Sequence, residues 1–331
     1  MSEVYRIFGS ELSPYSVKVR SYFRYKGIAH EWIPRDAAAE EEFRKYAKLP
    51  LIPLVVTPEE MVLQDSTPII EFMEALFPEP SIHSEDPTLA FLSALIEEFG
   101  DEWGNKWMFH YRWARELDRK SAAERIARSM MPGAGGEQLA GIAAAIGERM
   151  AGRVWFVGSS PQTAAFIESS FVAFVDLLEA HLAGRDYLFG GRPSFGDFGL
   201  WGQFYELASD PTPGALLRAR APRVLAWTER MLDPQAAGDF EGWGALAPTL
   251  QPILANYVGA LFLPWSDANA RALADGAEEF TIELPGQTWT QKPQKYHARS
   301  LKVLRERHET GASTAELDAI LEAAGCKQWL V

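Results

Sequence analysis

The chain has 331 residues, 47% of them hydrophobic and 23% charged, which is the make-up of a globular protein with room for two or three domains. Its formal charge of −13, from 45 acids against 32 bases, repels phosphate backbones, and no lysine/arginine block relieves it, which argues against nucleic acid as a partner. The single cysteine, Cys326, excludes an internal disulfide and suits a reducing cytosol, where it reads as a packed or free thiol.

The N-terminus, MSEVYRIFGS, lacks the apolar run of a signal peptide. No stretch approaches the roughly 18 to 20 apolar residues that span a bilayer, so a soluble, cytoplasmic protein with no membrane partner is expected. Val4 to Phe8 reads as a strand closed by Gly9. Ser13-Pro14 then opens a helix, with a serine N-cap, proline at the first helical position and Gly27 beyond the end. His30 to Ile33 reads as a second strand, and 36–48 as a charged helix or irregular turn. Leu54–Thr57 and Met61–Leu63 form a hairpin about Pro58-Glu59-Glu60, and Thr67–Phe77 a helix ended by Pro78 and Pro80.

Residues 79–87 are proline-rich and polar, a linker. From Thr88 the pattern is helical, with Leu92, Leu95, Ile96, Phe99, Trp103, Trp107 and Tyr111 at spacings of three and four. Met131–Gly136 breaks it, and further helices are expected near 137–150, 163–183, 195–208 and 222–232. The tail predicts a helix near 248–275, a strand at Glu279–Leu284 and two helices near 294–308 and 314–324. Its four tryptophans (Trp243, Trp265, Trp289, Trp329) mark it as folded. No HExxH, CxxC or clustered His/Cys pattern exists, so no metal site is expected.

Four motifs in register carry a resemblance. Ser13-Pro14-Tyr15-Ser16 resembles the Cys-Pro-Tyr-Cys of glutaredoxins with both cysteines replaced, which excludes disulfide exchange there. Ile52-Pro53 before a strand looks like the cis-proline of thioredoxin-like folds. Gln64-Asp65-Ser66-Thr67 entering a helix is similar to the acid-serine pair that holds the γ-glutamyl end of glutathione. Gly191-Arg192-Pro193-Ser194-Phe195-Gly196-Asp197 resembles the helix-start motif of the same family's helical domain, followed by Ala221-Pro222-Arg223-Val224 and Trp227. Over residues 1–233 the sequence is thus similar to the glutathione S-transferases of serine type. The resemblance implies α/β plus all-α architecture: a thioredoxin-like glutathione-binding domain (1–78), a linker (79–87), an all-helical domain (88–233) and a mostly helical C-terminal extension (234–331) packed on it.

It also implies roles. Ser13 would hydrogen-bond the thiol of glutathione, the co-substrate, as Ser10 and Ser16 would less directly. Ile52 and Pro53 would offer backbone groups to an extended peptide, and Asp65 with Ser66 would take its γ-glutamyl end. Tyr15, Trp103, Trp107, His110 and Tyr111 would line a pocket for a hydrophobic electrophile, and the protein would be a homodimer. Each residue has a plainer role as well: Ser13, Asp65 and Ser66 as helix caps, Pro53 as a turn former, and the aromatics as core. Leu51 stands where relatives carry a basic residue for the glycine carboxylate. That departure keeps open an alternative, a non-catalytic binding or protein-interaction module of the same fold.

Overall fold

The computed structural model describes residues 4–312 and 314–331. The N-terminal elements follow in the predicted order: β1 (Tyr5–Gly9), α1 (Pro14–Tyr25), β2 (His30–Pro34), α2 (Glu40–Tyr46), β3 (Leu54–Val56), β4 (Val62–Gln64) and α3 (Ser66–Leu76). The sheet order is β2-β1-β3-β4, with β1 parallel to β2 and antiparallel to β3, the mixed sheet of a thioredoxin-like domain. Alternation sorts its side chains. Ile7 and Val55 join Val17, Tyr22, Ile69 and Met73 of α1 and α3 on one face, while Phe8, Leu54 and Val56 meet Phe43 of α2 on the other.

The helical part contains α4 (Pro87–Phe99), a π-helical turn (Gly100–Gly104) and α5 (Asn105–Ala114) as one unbroken run. It continues with α6 (Glu116–Met130), α7 (Gly136–Ala151), a 3₁₀ turn (Val154–Val157), α8 (Ala164–His181), α9 (Phe195–Ser209), α10 (Pro211–Arg220) and α11 (Pro222–Arg230). Helix α10 is not among those expected. Pro211 and Pro213 read as breakers, yet Pro211 occupies the first helical turn, where its missing N–H leaves nothing unpaired. Helix α9 is the buried axis of this part and crosses α4 backbone to backbone. A Cβ on Gly199 would stand 2.6 Å from the Glu97 carbonyl oxygen, so only glycine permits that crossing.

Asp197 fixes the start of α9. Its carboxylate accepts from Ser194 N (2.9 Å), Ser194 Oγ (2.6 Å), Leu188 N (2.9 Å) and Trp227 Nε1 (2.9 Å), and Ser194 Oγ in return caps Asp197 N. Burial pushes its pKa up to about 6 against the pull of those donors. Asp197→Ala strands several buried donors at once, and the expected loss is about 2–3 kcal/mol, read as a lower urea midpoint with unchanged slope.

The tail consists of α12 (Trp243–Ile253), a π-helical segment (Leu254–Phe262), α13 (Leu263–Ala274), the hairpin β5 (Phe280–Leu284)–β6 (Gln287–Gln291), α14 (Lys295–Arg307), a π turn (His308–Ala312), α15 (Ala315–Ala323) and α16 (Lys327–Leu330). Two expectations are corrected here. Strand β6 was not anticipated, although Pro285-Gly286 supplies its turn, with Gly286 at φ +79°. The continuous helix Trp243–Ala274 is, by length and composition, apolar enough to cross a membrane, contrary to the reading that no stretch approaches this. Its prolines and amides disguise the run in the sequence. Core helices pass the same test, and 56% of its apolar window is buried inside the protein. Leu246, Leu250, Val258, Phe262 and Trp265 all lie in the main core.

The tail is fastened by a buried amide. Gln291 Oε1 accepts from Trp289 Nε1 (3.0 Å) and Trp265 Nε1 (3.2 Å), while its Nε2 donates to the Phe156 carbonyl (2.6 Å). Beside it Lys106 Nζ lies 3.5 Å from the centre of the Trp265 ring, and burial holds that amine well below its usual pKa.

Candidate functional site

Strand register gathers three of the motifs at one end of the sheet. Phe8 pairs with Leu54 and Leu54 with Gln64. The chain leaving β1 toward Ser13, the chain entering β3 at Pro53 and the chain leaving β4 at Asp65 therefore share one edge. The Ile52–Pro53 peptide bond is cis. The Gln64 carboxamide shapes the loop before it, accepting from Lys48 N and Leu49 N and donating to the carbonyls of Leu49 and Leu51. Leu51 is 57% exposed on that loop.

Ser13 is the N-cap of α1, and its Oγ accepts from Ser16 N at 3.3 Å. A hydroxyl that accepts this bond keeps its own hydrogen free to donate. Ser10 Oγ accepts from Leu12 N, and Ser16 is buried. Asp65 precedes α3 at φ +82° and makes no capping bond to the helix, so its carboxylate is left for other partners. Ser66 is buried at the first position of α3, its hydroxyl 3.5 Å from Lys18 Nζ.

Lys18 is a buried residue beside the site that sequence reasoning missed. Fully buried in the middle of α1, its ammonium donates to Asp101 Oδ2 (2.6 Å), to Glu97 Oε1 and to Thr67 Oγ1 (3.1 Å). It thereby ties the start of α3 to the α4–α5 junction. Two carboxyls near it are raised: burial pushes Asp101 up to about 7 against the attraction of Lys18, and burial beside Glu97 pushes Glu98 up to about 8. The four acids Glu97, Glu98, Asp101 and Glu102, inside an otherwise apolar helical run, are a sequence signal that could have raised the question of a buried cation, though not which residue supplies it.

The aromatic residues expected to wall an acceptor pocket lie elsewhere. Trp103 is buried between Trp265 and Trp289 of the tail, at ring-centre distances of 6.1 and 5.7 Å. Trp107 packs on Phe174 (4.7 Å) and donates to Ser170 Oγ (2.9 Å). Tyr111 packs on Phe171 (5.3 Å). His110 bridges Ser159 Oγ (2.7 Å) and Glu168 Oε1 (3.2 Å), and burial lowers its pKa. All four are buried: Trp103, in the π-helical turn, lies under the tail, and Trp107, His110 and Tyr111, on α5, lie where α8 and α9 cover that helix. Tyr15 is half-buried and donates to the Asp101 carbonyl (3.1 Å), beside the Lys18 network.

A mixed sheet with this edge, followed by a helical domain whose buried helix α9 is opened by a Ser194–Asp197 capping box, defines a glutathione transferase-type protein. The sequence matches the glutathione S-transferase N-terminal domain over residues 7–81 and the glutathione S-transferase C-terminal domain over residues 121–230, and the chain belongs to this family. Similar solved structures include a glutathione S-transferase from Methylobacterium radiotolerans in complex with glutathione sulfonate. It is 20% identical, with 74% of this chain and 94% of that one covered and a TM-score of 0.41. Another, from Methylobacillus flagellatus with glutathione bound, is 15% identical, covering 74% and 98%, with a TM-score of 0.40. A β-etherase from a Sphingobium strain is 18% identical, covering 75% and 98%, with a TM-score of 0.48. No curated protein matches the sequence.

Proposed function

We propose that this protein is a glutathione transferase in which Ser13 favours the thiolate of bound glutathione for attack on a hydrophobic electrophile. The observation that carries the reading is the register that brings Ser13, cis Ile52–Pro53 and Asp65–Ser66 to one sheet edge. An extended tripeptide laid along that edge would pair with the Ile52 backbone, place its α-ammonium by Asp65 and its sulfur by the tip of α1. There the free hydrogen of Ser13 and the positive end of the helix both favour negative charge. On this reading residues 1–78 hold glutathione, 88–233 supply the electrophile side and 234–331 pack against them. The working form is a homodimer in the cytoplasm, as the resemblance implies.

A second reading, a non-catalytic binding module, is favoured by the burial of Trp103, Trp107, His110 and Tyr111 and by Leu51 at the glycine end. Titrating glutathione while following tryptophan fluorescence, then assaying a generic aryl halide, separates the two. Saturable binding with turnover is the expected result; no binding at millimolar glutathione sinks the enzyme reading.

A further inference from the structure

The turn that carries Ser13 is seated on the helical domain. The Leu12–Ser13 peptide is fixed at both ends, with Ser13 N donating to the Ser10 carbonyl (3.1 Å) and the Leu12 carbonyl accepting from Arg112 Nη1 (3.1 Å). The Pro14 carbonyl then lies against α9, where a Cβ on Gly202 would stand 2.5 Å from its oxygen. One residue further, the Tyr15 hydroxyl donates to the Asp101 carbonyl (3.1 Å) in the π-helical turn. Contacts from three segments of the helical domain thus bracket one side chain, and Arg112 is the charged member of the set. It is 2% exposed, and its guanidinium spreads three ways: Nε to Asp210 Oδ2 (2.7 Å), Nη2 to Glu206 Oε2 (2.6 Å) and Nη1 to Leu12. The two carboxylates, near the end of α9, already hold the arginine, and the third bond serves the turn. A planar fork meets three acceptors in fixed directions, which the point charge of a lysine does not.

We propose that Arg112 is a positioning residue for Ser13, aiming its hydroxyl through the Leu12 carbonyl, with Tyr15 steadying the far side of the turn. The proposal rests on the glutathione reading above. A hydroxyl favours a thiolate only at hydrogen-bond distance and in line with it, so the residue that carries it needs a shell that fixes it. The other bonds of the turn are local. Leu12 N donates to Ser10 Oγ (3.2 Å), Ser13 N to the Ser10 carbonyl, and Arg20 to Glu11 Oε2 (2.8 Å), all within the thioredoxin-like domain. These bonds set the shape of the turn. Its placement against the helical domain, which supplies the electrophile side on this reading, is set by Arg112 and Tyr15. Losing the Arg112 bond therefore leaves a formed turn with a misaimed hydroxyl, and small misplacements are costly where reacting groups must align.

The test measures the thiol pKa of bound glutathione from the ultraviolet absorbance of its thiolate, together with the urea midpoint. It uses the full chain as wild type, Arg112→Lys, Tyr15→Phe, Ser13→Ala, and each of the first two combined with Ser13→Ala. Arg112→Lys keeps the buried charge and loses the fork, while Tyr15→Phe deletes one hydroxyl and leaves the ion pairs intact. The expected result in each is a bound thiol raised by about 0.5–1 unit, or roughly 3–10-fold less thiolate at neutral pH. Neither change adds to the larger rise in Ser13→Ala, because both act through the hydroxyl that variant lacks. A purely structural role would lower the urea midpoint and leave the thiol where it was. An unchanged thiol pKa in Arg112→Lys, or in Tyr15→Phe where Arg112→Lys does not fold, overturns the proposal and leaves the glutathione reading standing. So does the same increment appearing on top of Ser13→Ala, or a Ser13→Ala thiol at the wild-type pKa, since there is then no hydroxyl to aim. Absence of saturable glutathione binding in the wild type removes the glutathione reading and the role of Arg112 with it.

Discussion

Lys18→Met is expected to lower stability by about 3–5 kcal/mol, the range for removing one partner of a buried ion pair. Methionine replaces most of the aliphatic stem, so the loss is of charge rather than volume. What remains is the Glu97 carboxylate with no exposed surface and Asp101 beside it, both facing a site where their cation used to be. Desolvated carboxylates a few ångströms apart cannot both stay ionised without a counter-charge. The consequence reaches function as well as fold, because the same ammonium holds Thr67 at the start of α3. If Asp65 is presented to ligand by that helix end, glutathione affinity falls along with stability. The triple variant Lys18→Met, Glu97→Gln, Asp101→Asn is expected to recover most of the stability, since replacing a buried ionic cluster as a whole is far less costly than breaking it.

The defect in Lys18→Met also has a pH signature. Asp101 and Glu98 titrate near 7 and 8 in the folded chain, above their unfolded values near 4, so the folded state holds protons that the unfolded state has released. Their contribution is complete below about pH 4 and is lost as pH rises through 7 to 8. Removing Lys18 takes away the charge that holds Asp101 down against burial and against its neighbours Glu97 and Asp65. The variant's Asp101 therefore titrates higher still. Its deficit relative to wild type is small at pH 5, where the carboxyls can stay protonated, and grows toward pH 8. Urea denaturation of both proteins across that range checks this, and a deficit independent of pH would show that the ammonium acts only as a packing group.

The edge motifs were legible because each depends on local chemistry. A Ser-Pro cap, an Ile-Pro step before a strand and an acid-serine pair entering a helix specify their own backbone, and the structure puts them where short strands must bring them. The Lys18 network was not legible in this way. Its members are 79 and 83 residues apart in sequence, and a lysine between Val17 and Val19 looks like any solvated helix position. Only the fold reveals that α1 is covered on one side by the sheet and on the other by α9. The cover over the aromatic run from Trp103 to Trp113 was illegible for a related reason. A stripe at helical spacing says that one face is covered and does not name the cover, which here is α8, α9 and the tail instead of a ligand.

Ser13→Ala is expected to reduce turnover by about 10–100-fold at pH 7, on the glutathione reading, while costing the fold only about 1 kcal/mol through the lost cap. An unperturbed thiol titrates near pH 8.5, so a useful thiolate fraction at neutrality requires a downward shift of about 1–2 units, worth roughly 1.4–2.7 kcal/mol. The other hydroxyls of the motif are poor substitutes. Tyr15 spends its hydrogen on the Asp101 carbonyl, and Ser16 is buried. The variant should therefore show its thiolate-dependent limb displaced upward by that same 1–2 units, with a rate deficit that is largest below pH 7 and closes toward pH 9, where the thiol ionises unaided. Ser13→Gly separates the two roles. Glycine restores most of the capping preference but supplies no hydroxyl, so it should match alanine in rate and wild type in stability. A pH–rate profile that stays in place in both variants would assign Ser13 to the helix end alone and leave thiol activation to the backbone N–H groups of α1.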